Sequence, residues 1–373
     1  MNKQLLRLSE IAQKPHRIII GLMSGTSLDG LDIALCKFKW KQPELLNFKT
    51  VAYSEELRKR LRSIQSKSLV DLQEVCTLHT ELAHLYAEFI SDALEDWGIK
   101  PAQVDLIASH GQTIFHLPNK KMNSTLQIVD GDHIAEKTGI ITISDFRQKH
   151  VAKGGEGAPL AGIMDEAIFQ SKSKNRVLLN LGGIANFTWL PAKDKTGDSI
   201  TSDSGPANTL INEAMLKHFN KAFDENGETA LSGEVHSELL KYLLLEPFFR
   251  KPFPKTTGQE DFNLKLVEEL MEGYQIEISA KDLIATLTHL TIQSINRTFD
   301  EIIGDEEFEL FISGGGVHNS AIVNGLKERL PNAKLKNFEE FGFTADAKEA
   351  VLMAFLANEC IVGGEWELGK VSF

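Results

Sequence analysis

The stretch Gly21-Leu22-Met23-Ser24-Gly25-Thr26-Ser27-Leu28-Asp29-Gly30 decides the fold of this chain. An apolar run, 17–20, precedes it, and residues 31–35 follow with the alternation of a second strand. The pattern predicts a β-hairpin whose tip carries three hydroxyls, a carboxylate and accessible backbone N–H groups. Such a tip can wrap the phosphates of a nucleotide, because glycine lets the backbone approach closely and hydroxyls donate hydrogen bonds. A tight surface hairpin without a ligand is the alternative.

Length and charge narrow the class of protein. At 373 residues the chain exceeds the size of one hydrophobic core, which predicts two domains. A formal net charge of -12 argues against nucleic acid or an anionic membrane as a partner. A nucleotide would then have to be held by backbone amides, helix N-termini and a divalent metal. No apolar run approaches the ~20 residues of a membrane span.

Cysteine usage and the first residues predict a cytoplasmic protein. Cys36, Cys76 and Cys360 lie far apart and show no CxxC spacing, which indicates reduced thiols and no zinc site. Residues 1–16 are polar and mixed in charge, without the apolar core of a secretion signal.

The second half of the chain repeats the layout of the first. Residues 176–189 again read as strand, glycine turn and strand, with Gly182 and Gly183 at the turn. Two similar α/β halves predict a nucleotide between two domains that close through a hinge. Helical patterns are predicted at 69–97, 206–220, 233–245, 260–274 and 280–303, with a last helix opening at 344–349.

Other nucleotide and catalytic templates fail. The chain has no GxxxxGK[ST] loop, no GxGxxG after a strand, no GxSxG elbow and no HExxH pair.

Asp203 is the candidate general base. It stands before Gly205 and Pro206, after a predicted strand at 199–202 and before a predicted helix. A carboxylate at such a turn can project towards a substrate and reach a proton within about 3 Å. An N-cap aspartate is the competing interpretation.

Three further strand ends carry ligand-sized groups. Residues 109–113 supply His110 and Thr113, with a capped loop as the alternative. Arg147 follows another strand end and can bind an anionic or hydroxyl-rich ligand bidentately, unless it forms a surface pair with Asp145. Residues 311–319 read as strand, triple glycine and helix, which favours nucleotide contact at a helix N-terminus over a plain turn.

Taken together, these segments resemble the anhydro-N-acetylmuramic acid kinases of the actin, sugar-kinase and heat-shock chaperone ATPase superfamily. The matching motifs occur in order along nearly the whole chain: GLMSGTSLDGLDIA (21–34), SHGQTIFH (109–116), LQIVDGDHIAEKTGI (126–140), SDFR (144–147), GGEGAPL (154–160), NLGGIANFT (180–188), DSGPAN (203–208), PKTTGQEDFN (254–263), SGGGVHN (313–319) and ADAKEA (345–350).

The resemblance implies an α/β, two-domain ribonuclease H-like (actin-like ATPase) fold with the active site in the interdomain cleft. The N-terminal lobe would comprise 1–145 plus 350–373, and the C-terminal lobe 146–349. Such kinases use ATP and Mg²⁺, open the 1,6-anhydro bridge of anhydro-N-acetylmuramic acid with water and phosphorylate the 6-oxygen. The product, N-acetylmuramic acid 6-phosphate, belongs to peptidoglycan recycling.

The resemblance also assigns roles to residues. Asp203 would deprotonate the attacking water, and Asp29 would hold Mg²⁺ through water. His110, Thr113 and Arg147 would contact the sugar, and Glu349 would assist. The residues expected to bind ATP are Gly25, Thr26, Ser27, Leu28, Asp29, Gly30, Leu31, Asp32, Gly182, Gly183, Gly205, Gly314, Gly315 and Gly316.

Some positions depart from the family pattern. The family usually carries Asp at position 150 and Gln at position 156, where this chain has His150 and Glu156. DSGPAN replaces DTGPGN, and the usual C-terminal motif is absent from 368–373. Two alternatives to this function are therefore kept: a kinase for another 1,6-anhydrosugar such as levoglucosan, and a non-catalytic ATP-binding module. The predicted partners are a small anhydrosugar and a second copy of the chain in a homodimer, with neither nucleic acid nor membrane.

Overall fold

The computed structural model describes residues 3–118, 122–157, 160–195, 197–258 and 260–363, and the chain divides into two compact units. The first unit joins Met1–Met164 to Phe341–Phe373, and the second is the continuous segment Asp165–Glu340. The sequence placed lobe boundaries at 145/146 and 349/350, within about twenty residues of these divisions. The limits of independently folding domains stay a prediction.

Twelve strands in the described residues form two five-stranded sheets and one two-stranded ribbon. They are β1 (His16–Met23), β2 (Gly30–Lys39), β3 (Gln42–Ala52), β4 (Leu106–Ser109), β5 (Gln112–Leu117), β6 (Ser124–Ile128), β7 (Thr142–Ile143), β8 (Arg176–Leu181), β9 (Ile184–Leu190), β10 (Ile200–Pro206), β11 (Phe308–Ser313) and β12 (Ala333–Lys336). The sheet orders are β3-β2-β1-β4-β7 in the first unit and β10-β9-β8-β11-β12 in the second.

The same described residues contain thirteen α-helices. They are α1 (Lys3–Gln13), α2 (Glu55–Ile64), α3 (Leu72–Asp96), α4 (Gly131–Thr138), α5 (Phe146–Ala152), α6 (Ala161–Met164), α7 (Asn208–Phe219), α8 (Glu228–Leu231), α9 (Ser237–Leu243), α10 (Leu264–Gly273), α11 (Ala280–Ile302), α12 (Ser320–Arg329) and α13 (Lys348–Val362). None of these helices combines the length and apolar composition that a membrane span requires.

Each sheet begins with an antiparallel meander and continues with parallel strands. In the first unit β2 pairs with both β1 and β3, and β4 lies parallel to β1. In the second unit β9 pairs with β8 and β10, and β11 lies parallel to β8. The predicted α/β fold with two ribonuclease H-like halves is therefore confirmed at the level of topology.

The last helix, α13, packs against the first sheet. Every residue of α13 from Ala350 to Glu359 is buried, as expected for a helix that is apolar on all sides. Gly21 on β1 lies so close to this helix that an added Cβ would be 1.9 Å from the Ala350 carbonyl oxygen. The fully buried Arg17 donates from Nε to Asn358 Oδ1 at 2.7 Å, which ties the first strand to the last helix.

The predicted helix at 69–97 corresponds to α3, which Asp71 caps by accepting the Gln73 N–H. Its apolar face, including Leu78, Leu82 and Ile90, packs into the core of the first unit. The segment 3–13 is also helical, and the sequence analysis assigned no element to it.

Candidate active site

The tip of the first hairpin, 24–29, presents polar groups to solvent. Thr26, Ser27 and Asp29 are exposed, whereas Leu28 has φ 62° and buries its side chain in the core. The N–H groups of Gly25, Thr26 and Ser27 donate no hydrogen bond to any residue that the structure describes. Successive unpaired N–H groups at a turn form an anion-binding concavity. Residues 24–29 therefore have the chemistry expected of a phosphate loop.

Gly25 has no packing requirement that explains it. A Cβ at this position would meet no atom of the chain closer than the Ser27 Oγ, at 3.5 Å. The free space over this backbone is what close approach of a ligand needs.

A buried hydrogen-bond network fixes the hairpin tip from below. Gln112, on β5, accepts from Ser24 Oγ at 2.6 Å and donates to the Gly25 carbonyl at 3.2 Å. Tyr53 donates to Ser24 Oγ at 2.8 Å, and its hydroxyl lies 2.8 Å from that of Tyr86. All four side chains are buried. The sequence analysis missed Tyr53, Tyr86 and the role of Gln112, since 88 residues separate Ser24 from Gln112.

Asp32 interacts electrostatically with three other carboxylates beside this hairpin, those of Asp29, Asp346 and Glu349. Burial raises the pKa of Asp32, and the like charges of Asp346 and Asp29 raise it further, against a hydrogen bond from Thr50. Asp32 in turn raises the pKa of Glu349. Asp346 was not predicted as a site residue.

Oxygen donors of this kind suit Mg²⁺, which takes one or two carboxylates and completes its shell with water and phosphate. No group of three or more His, Cys, Asp or Glu side chains within the described ranges is close enough to hold a metal alone. The residues fit a metal that arrives with phosphate, and Asp29 as its contact stays a prediction.

His110 and Arg147, both predicted as sugar contacts, are brought together. His110 directly follows β4, and its N–H donates to the Leu22 carbonyl of β1 at 3.2 Å. Arg147, in the first turn of α5, donates from Nε to His110 Nε2 at 2.9 Å. The alternative surface pair with Asp145 is wrong, because the exposed Asp145 carboxylate accepts from Ser144 Oγ.

The other two predicted sugar contacts also lie in the first unit. Thr113 is buried on β5, and its Oγ1 accepts from Gln127 Nε2 at 3.3 Å. Glu349 is solvent-accessible in the first turn of α13. Desolvation by the surrounding protein raises the pKa of the Glu349 carboxyl, and the positive charges of Lys348 and Arg147 oppose this effect.

Asp203 lies within β10 and not at the start of a helix. The ladder with β9 shifts register between Asp203 and Gly205, and α7 begins only at Asn208, after Ala207. The N-cap interpretation is therefore wrong, and so is the end of the predicted strand at residue 202. The strand continues because β9 supplies pairing partners for it, which a reading of local turn residues cannot show.

One oxygen of Asp203 is held and the other is not. Oδ2 accepts the Thr257 N–H at 2.9 Å, whereas Oδ1 accepts no hydrogen bond from the described residues. Burial raises the pKa of Asp203 to about 6, against the lowering effect of the Thr257 N–H. A carboxylate with a free oxygen and a pKa near neutrality can take up and release a proton at physiological pH.

The segment that holds Asp203 is itself anchored by Lys255. The backbone of Lys255 accepts the Asp203 N–H at 2.9 Å and donates to Ser202 Oγ at 2.8 Å. Its buried ammonium lies 4.1 Å from the centre of the Phe253 ring and 4.9 Å from that of Phe248. Sequence reasoning missed Lys255 and Thr257 as site residues, although both stand in the PKTTGQEDFN motif.

The glycine turns of the second unit lie together. The Asn208 side chain donates to the carbonyls of Leu181 and Gly182, and the Ala207 N–H donates to the Gly183 carbonyl. At Gly314, φ is 82°, and a Cβ would be 2.6 Å from Asn180 Oδ1. These contacts connect the 182–183 turn with the start of the 314–316 turn.

The structural constraints differ among the three consecutive glycines. Gly314 needs its left-handed backbone, and a Cβ on Gly316 would be 2.5 Å from Leu181 Cβ. A Cβ on Gly315 would meet no atom within 4 Å. The expectation that three glycines exceed what the turn requires is thus supported at Gly315. Gly205 lies in β10 beside Asp203, and its contact with ATP stays a prediction.

The two positions that depart from the family pattern interact with each other. His150 Nδ1 accepts the Gly157 N–H at 3.2 Å, and its ring packs against Gly155. Burial lowers the pKa of His150, and Glu156 opposes that shift. The altered C-terminus, 368–373, lies outside the described residues.

Comparison with known proteins assigns a family. A family model described as anhydro-N-acetylmuramic acid kinase matches residues 17–364. The chain is 43% identical to the anhydro-N-acetylmuramic acid kinase of Pseudoalteromonas atlantica, covering 100% of this chain and 96% of that one. It is 40% identical to the enzyme of that name from Caldanaerobacter subterraneus subsp. tengcongensis, over 96% and 94% of the two chains.

Among solved structures, the chain resembles the activator of the 2-hydroxyisocaproyl-CoA dehydratase from Clostridium difficile with bound ADPNP. The TM-score is 0.45 and the sequence identity 11%, over 95% of this chain and 100% of that one.

Proposed function

The chain belongs to the anhydro-N-acetylmuramic acid kinase family, and we propose that it phosphorylates anhydro-N-acetylmuramic acid with ATP. Water adds to the anomeric carbon, the bond from that carbon to the bridging oxygen breaks, and the released 6-oxygen attacks the γ-phosphorus of ATP. The products are N-acetylmuramic acid 6-phosphate and ADP. This places the reaction in the recycling of peptidoglycan.

The observation that carries the proposal is the state of Asp203. Its free Oδ1 takes the proton of the attacking water, while the Thr257 N–H keeps the carboxyl group in one orientation. A pKa of about 6 keeps most of the group ionised at neutral pH and still lets it hold a proton during turnover.

The first unit binds the phosphates in this proposal. The unpaired N–H groups of Gly25, Thr26 and Ser27 contact the γ-phosphate, and the exposed hydroxyls of residues 26 and 27 add hydrogen bonds. Mg²⁺, when bound, neutralises charge on the phosphates, with Asp29 as its contact through water. Gly182, Gly183 and Gly314–Gly316 contact the rest of the nucleotide.

The sugar contacts of the proposal are His110, Thr113 and Arg147, with Glu349 assisting. Arg147 and His110 are already paired, and Glu349 is close enough to Arg147 for each charge to shift the pKa of the other.

Location and assembly follow as further parts of the proposal. The three cysteines form no disulfide, which agrees with a reducing cytoplasm. A homodimer stays a prediction, and light scattering of the purified protein would measure it.

A single assay tests both halves of the reaction. The purified protein is incubated with ATP, Mg²⁺, ¹⁸O-water and anhydro-N-acetylmuramic acid, and the products are analysed by mass spectrometry. We expect a 6-phosphate with the heavy oxygen at the anomeric hydroxyl. A product from levoglucosan alone would move the substrate to another anhydrosugar. ATP binding without product from either sugar would contradict the proposed activity.

A further inference from the structure

Lys255 is a buried cation without an ion pair. It is 7% exposed, and its ammonium forms no hydrogen bond or salt bridge with the residues that the structure describes. Burial lowers the pKa of Lys255, the charge of Lys251 lowers it further, and the charge of Glu301 opposes both. A buried charge costs free energy of folding unless something compensates it. A lysine at this position therefore needs an explanation.

Two aromatic rings compensate the charge. Lys255 Nζ lies 4.1 Å from the centre of the Phe253 ring and 4.9 Å from that of Phe248. Both distances are within the range of a cation–π contact, which is stronger where water is excluded. Phe248 belongs to the hydrophobic core of the second unit, and Phe253 packs against that core. The ammonium therefore attaches the segment 253–257 to the core.

The backbone of the same lysine covers the edge of the second sheet. β10 is the outermost strand of that sheet. The Lys255 N–H donates to Ser202 Oγ at 2.8 Å, and this hydroxyl donates back to the Lys255 carbonyl at 2.9 Å. The same carbonyl accepts the Asp203 N–H at 2.9 Å. Residues 251–258 form neither helix nor strand, so no regular structure of their own fixes them.

Two residues after Lys255, the segment 253–257 reaches the carboxylate of Asp203. The Thr257 N–H donates to Asp203 Oδ2 at 2.9 Å. On the other side of β10, the ladder shifts register between Asp203 and Gly205, and such an irregularity changes the direction of a side chain. The orientation of the carboxylate thus depends on where the segment lies.

We infer that Lys255 is the positioning residue of the base. Its ammonium, held against Phe248 and Phe253, keeps the segment 253–257 on β10, and the Thr257 N–H consequently stays on Asp203 Oδ2. This inference rests on the proposed function, in which Asp203 is the base, and adds the residue that keeps this carboxylate in one orientation.

Lys255 acts through the backbone and not through its charge. Its charge does not shift the pKa of Asp203. Three other ionisable groups act on the segment or its lysine, and none of them shifts that pKa either: Glu301, Lys251 and Asp261. The Thr257 N–H does lower the pKa of Asp203, because it stabilises the ionised carboxylate. Loosening of the segment should therefore raise this pKa.

The first test compares Lys255→Met with the unaltered protein, because methionine keeps an apolar chain between the rings without the charge. We expect kcat for anhydro-N-acetylmuramic acid to fall by about 10-fold, as for loss of a desolvated cation–π contact. The KM for ATP should not change. The midpoint of the acid limb of kcat/KM should rise by about 0.5 to 1 in pH, as for loss of one hydrogen bond to the carboxylate. An unchanged midpoint would overturn the inference.

Two further variants separate the charge from its surroundings. Lys255→Arg keeps a cation that stacks on aromatic rings and should retain kcat within about 3-fold. Lys251→Met removes an exposed cation 5.8 Å from the centre of the same Phe248 ring. It should leave the rate and the pH profile unchanged, since the Lys251 N–H donates to the Phe248 carbonyl and not to β10. A loss in Lys255→Arg as large as in Lys255→Met would mean that the cation does not hold the segment.

Hydrogen exchange measures the position of the segment without any enzymatic activity. The N–H groups of residues 255 and 257 are bonded to Ser202 and Asp203, which should protect them from exchange. In Lys255→Met we expect both to exchange faster by about 10-fold, again the value of the lost contact. The amides of β8 and α11 should keep their rates, which identifies a folded variant. Equal exchange at residues 255 and 257 would overturn the inference.

Failure of the proposed function gives a different result. If the unaltered protein phosphorylates no anhydrosugar, the proposed activity is wrong, and exchange at residues 255 and 257 still decides whether Lys255 holds the segment. If the protein is active and Lys255→Met exchanges faster at an unchanged rate of phosphorylation, the proposed activity stands and the positioning role of Lys255 is wrong.

Discussion

The two five-stranded sheets have the same strand order but carry their carboxylates in different surroundings. In the first unit Asp32 stands at the beginning of the second strand, opposite Thr50 on the third. In the second unit the carboxylate is on the third strand, where Asp203 lies opposite Asn186 on the second. The connecting turns differ too: residues 24–29 separate β1 from β2, but only Gly182 and Gly183 separate β8 from β9.

The surroundings set what each carboxylate can do. Asp32 has the like charges of Asp29 and Asp346 near it, and a cation relieves their repulsion. No neighbouring charge shifts the pKa of Asp203, which burial alone raises. A group of carboxylates is suited to binding a metal ion together with phosphate, whereas an isolated carboxylate is suited to proton transfer. One topology thus supports two kinds of chemistry.

The largest effect is expected from a substitution at the isolated carboxylate of the second unit. Asp203→Asn removes the proton acceptor and should lower kcat by about 10²- to 10⁴-fold, the range for a general base. ATP binding, measured by calorimetry, should stay near that of the unaltered protein. Asp194→Asn, which removes a charge from an exposed turn of the same unit, should keep full activity. An active Asp203→Asn variant would mean that another group is the base.

A smaller effect is expected from the first unit. Asp32→Asn should raise the Mg²⁺ concentration for half-maximal rate by about 10-fold, because one negative charge is lost from the metal's surroundings. The variant should also unfold at a higher temperature, since it removes like-charge repulsion. Kinetics at varied Mg²⁺ and thermal melts measure the two effects. A lower melting temperature would show that the carboxylates do not repel one another in the folded protein.

The hydroxyls of the hairpin tip should contribute less than the carboxylates. Thr26→Ala removes one exposed hydroxyl and should raise the KM for ATP by about 5-fold, the value of about one hydrogen bond. Ser63→Ala removes a hydroxyl that bonds only within its own helix, and serves as the control. An unchanged ATP dependence would exclude residue 26 from the phosphate site.

The smallest effect is on stability. Because folding raises the pKa of Asp203 to about 6, ionisation of this group opposes folding, and the stability it contributes at low pH is lost as pH rises through about 6. Asp203→Asn should therefore stabilise the protein by about 1 kcal/mol at pH 8, a value reduced for partial solvent screening. Below about pH 4 the gain should vanish. Urea unfolding at the two pH values measures it, and a pH-independent difference would contradict the raised pKa.

The sequence predicted those parts of the site that depend on neighbouring residues. Local sequence patterns predict turns whose geometry depends on a few adjacent residues. These are the hairpin at 21–30 and the glycine turns at 182–183 and 314–316. The network of Ser24, Gln112 and Tyr53 depends on contacts between distant segments, and nothing in the composition of those segments indicates the pairing. Asp203 was found as a residue but placed in the wrong element, because strand pairing with β9 overrides the local turn signal.

The bond between Arg17 and Asn358 has a consequence for synthesis of the chain. The sheet of the first unit is covered by α13 only when that helix has left the ribosome, about 200 residues after Met164. The second unit, in contrast, is one continuous segment. At 5–20 residues per second the delay is roughly 10 to 40 s. During that interval the surface of β1 around Gly21 is without its covering helix, so the nascent first unit exposes a face that the finished protein buries.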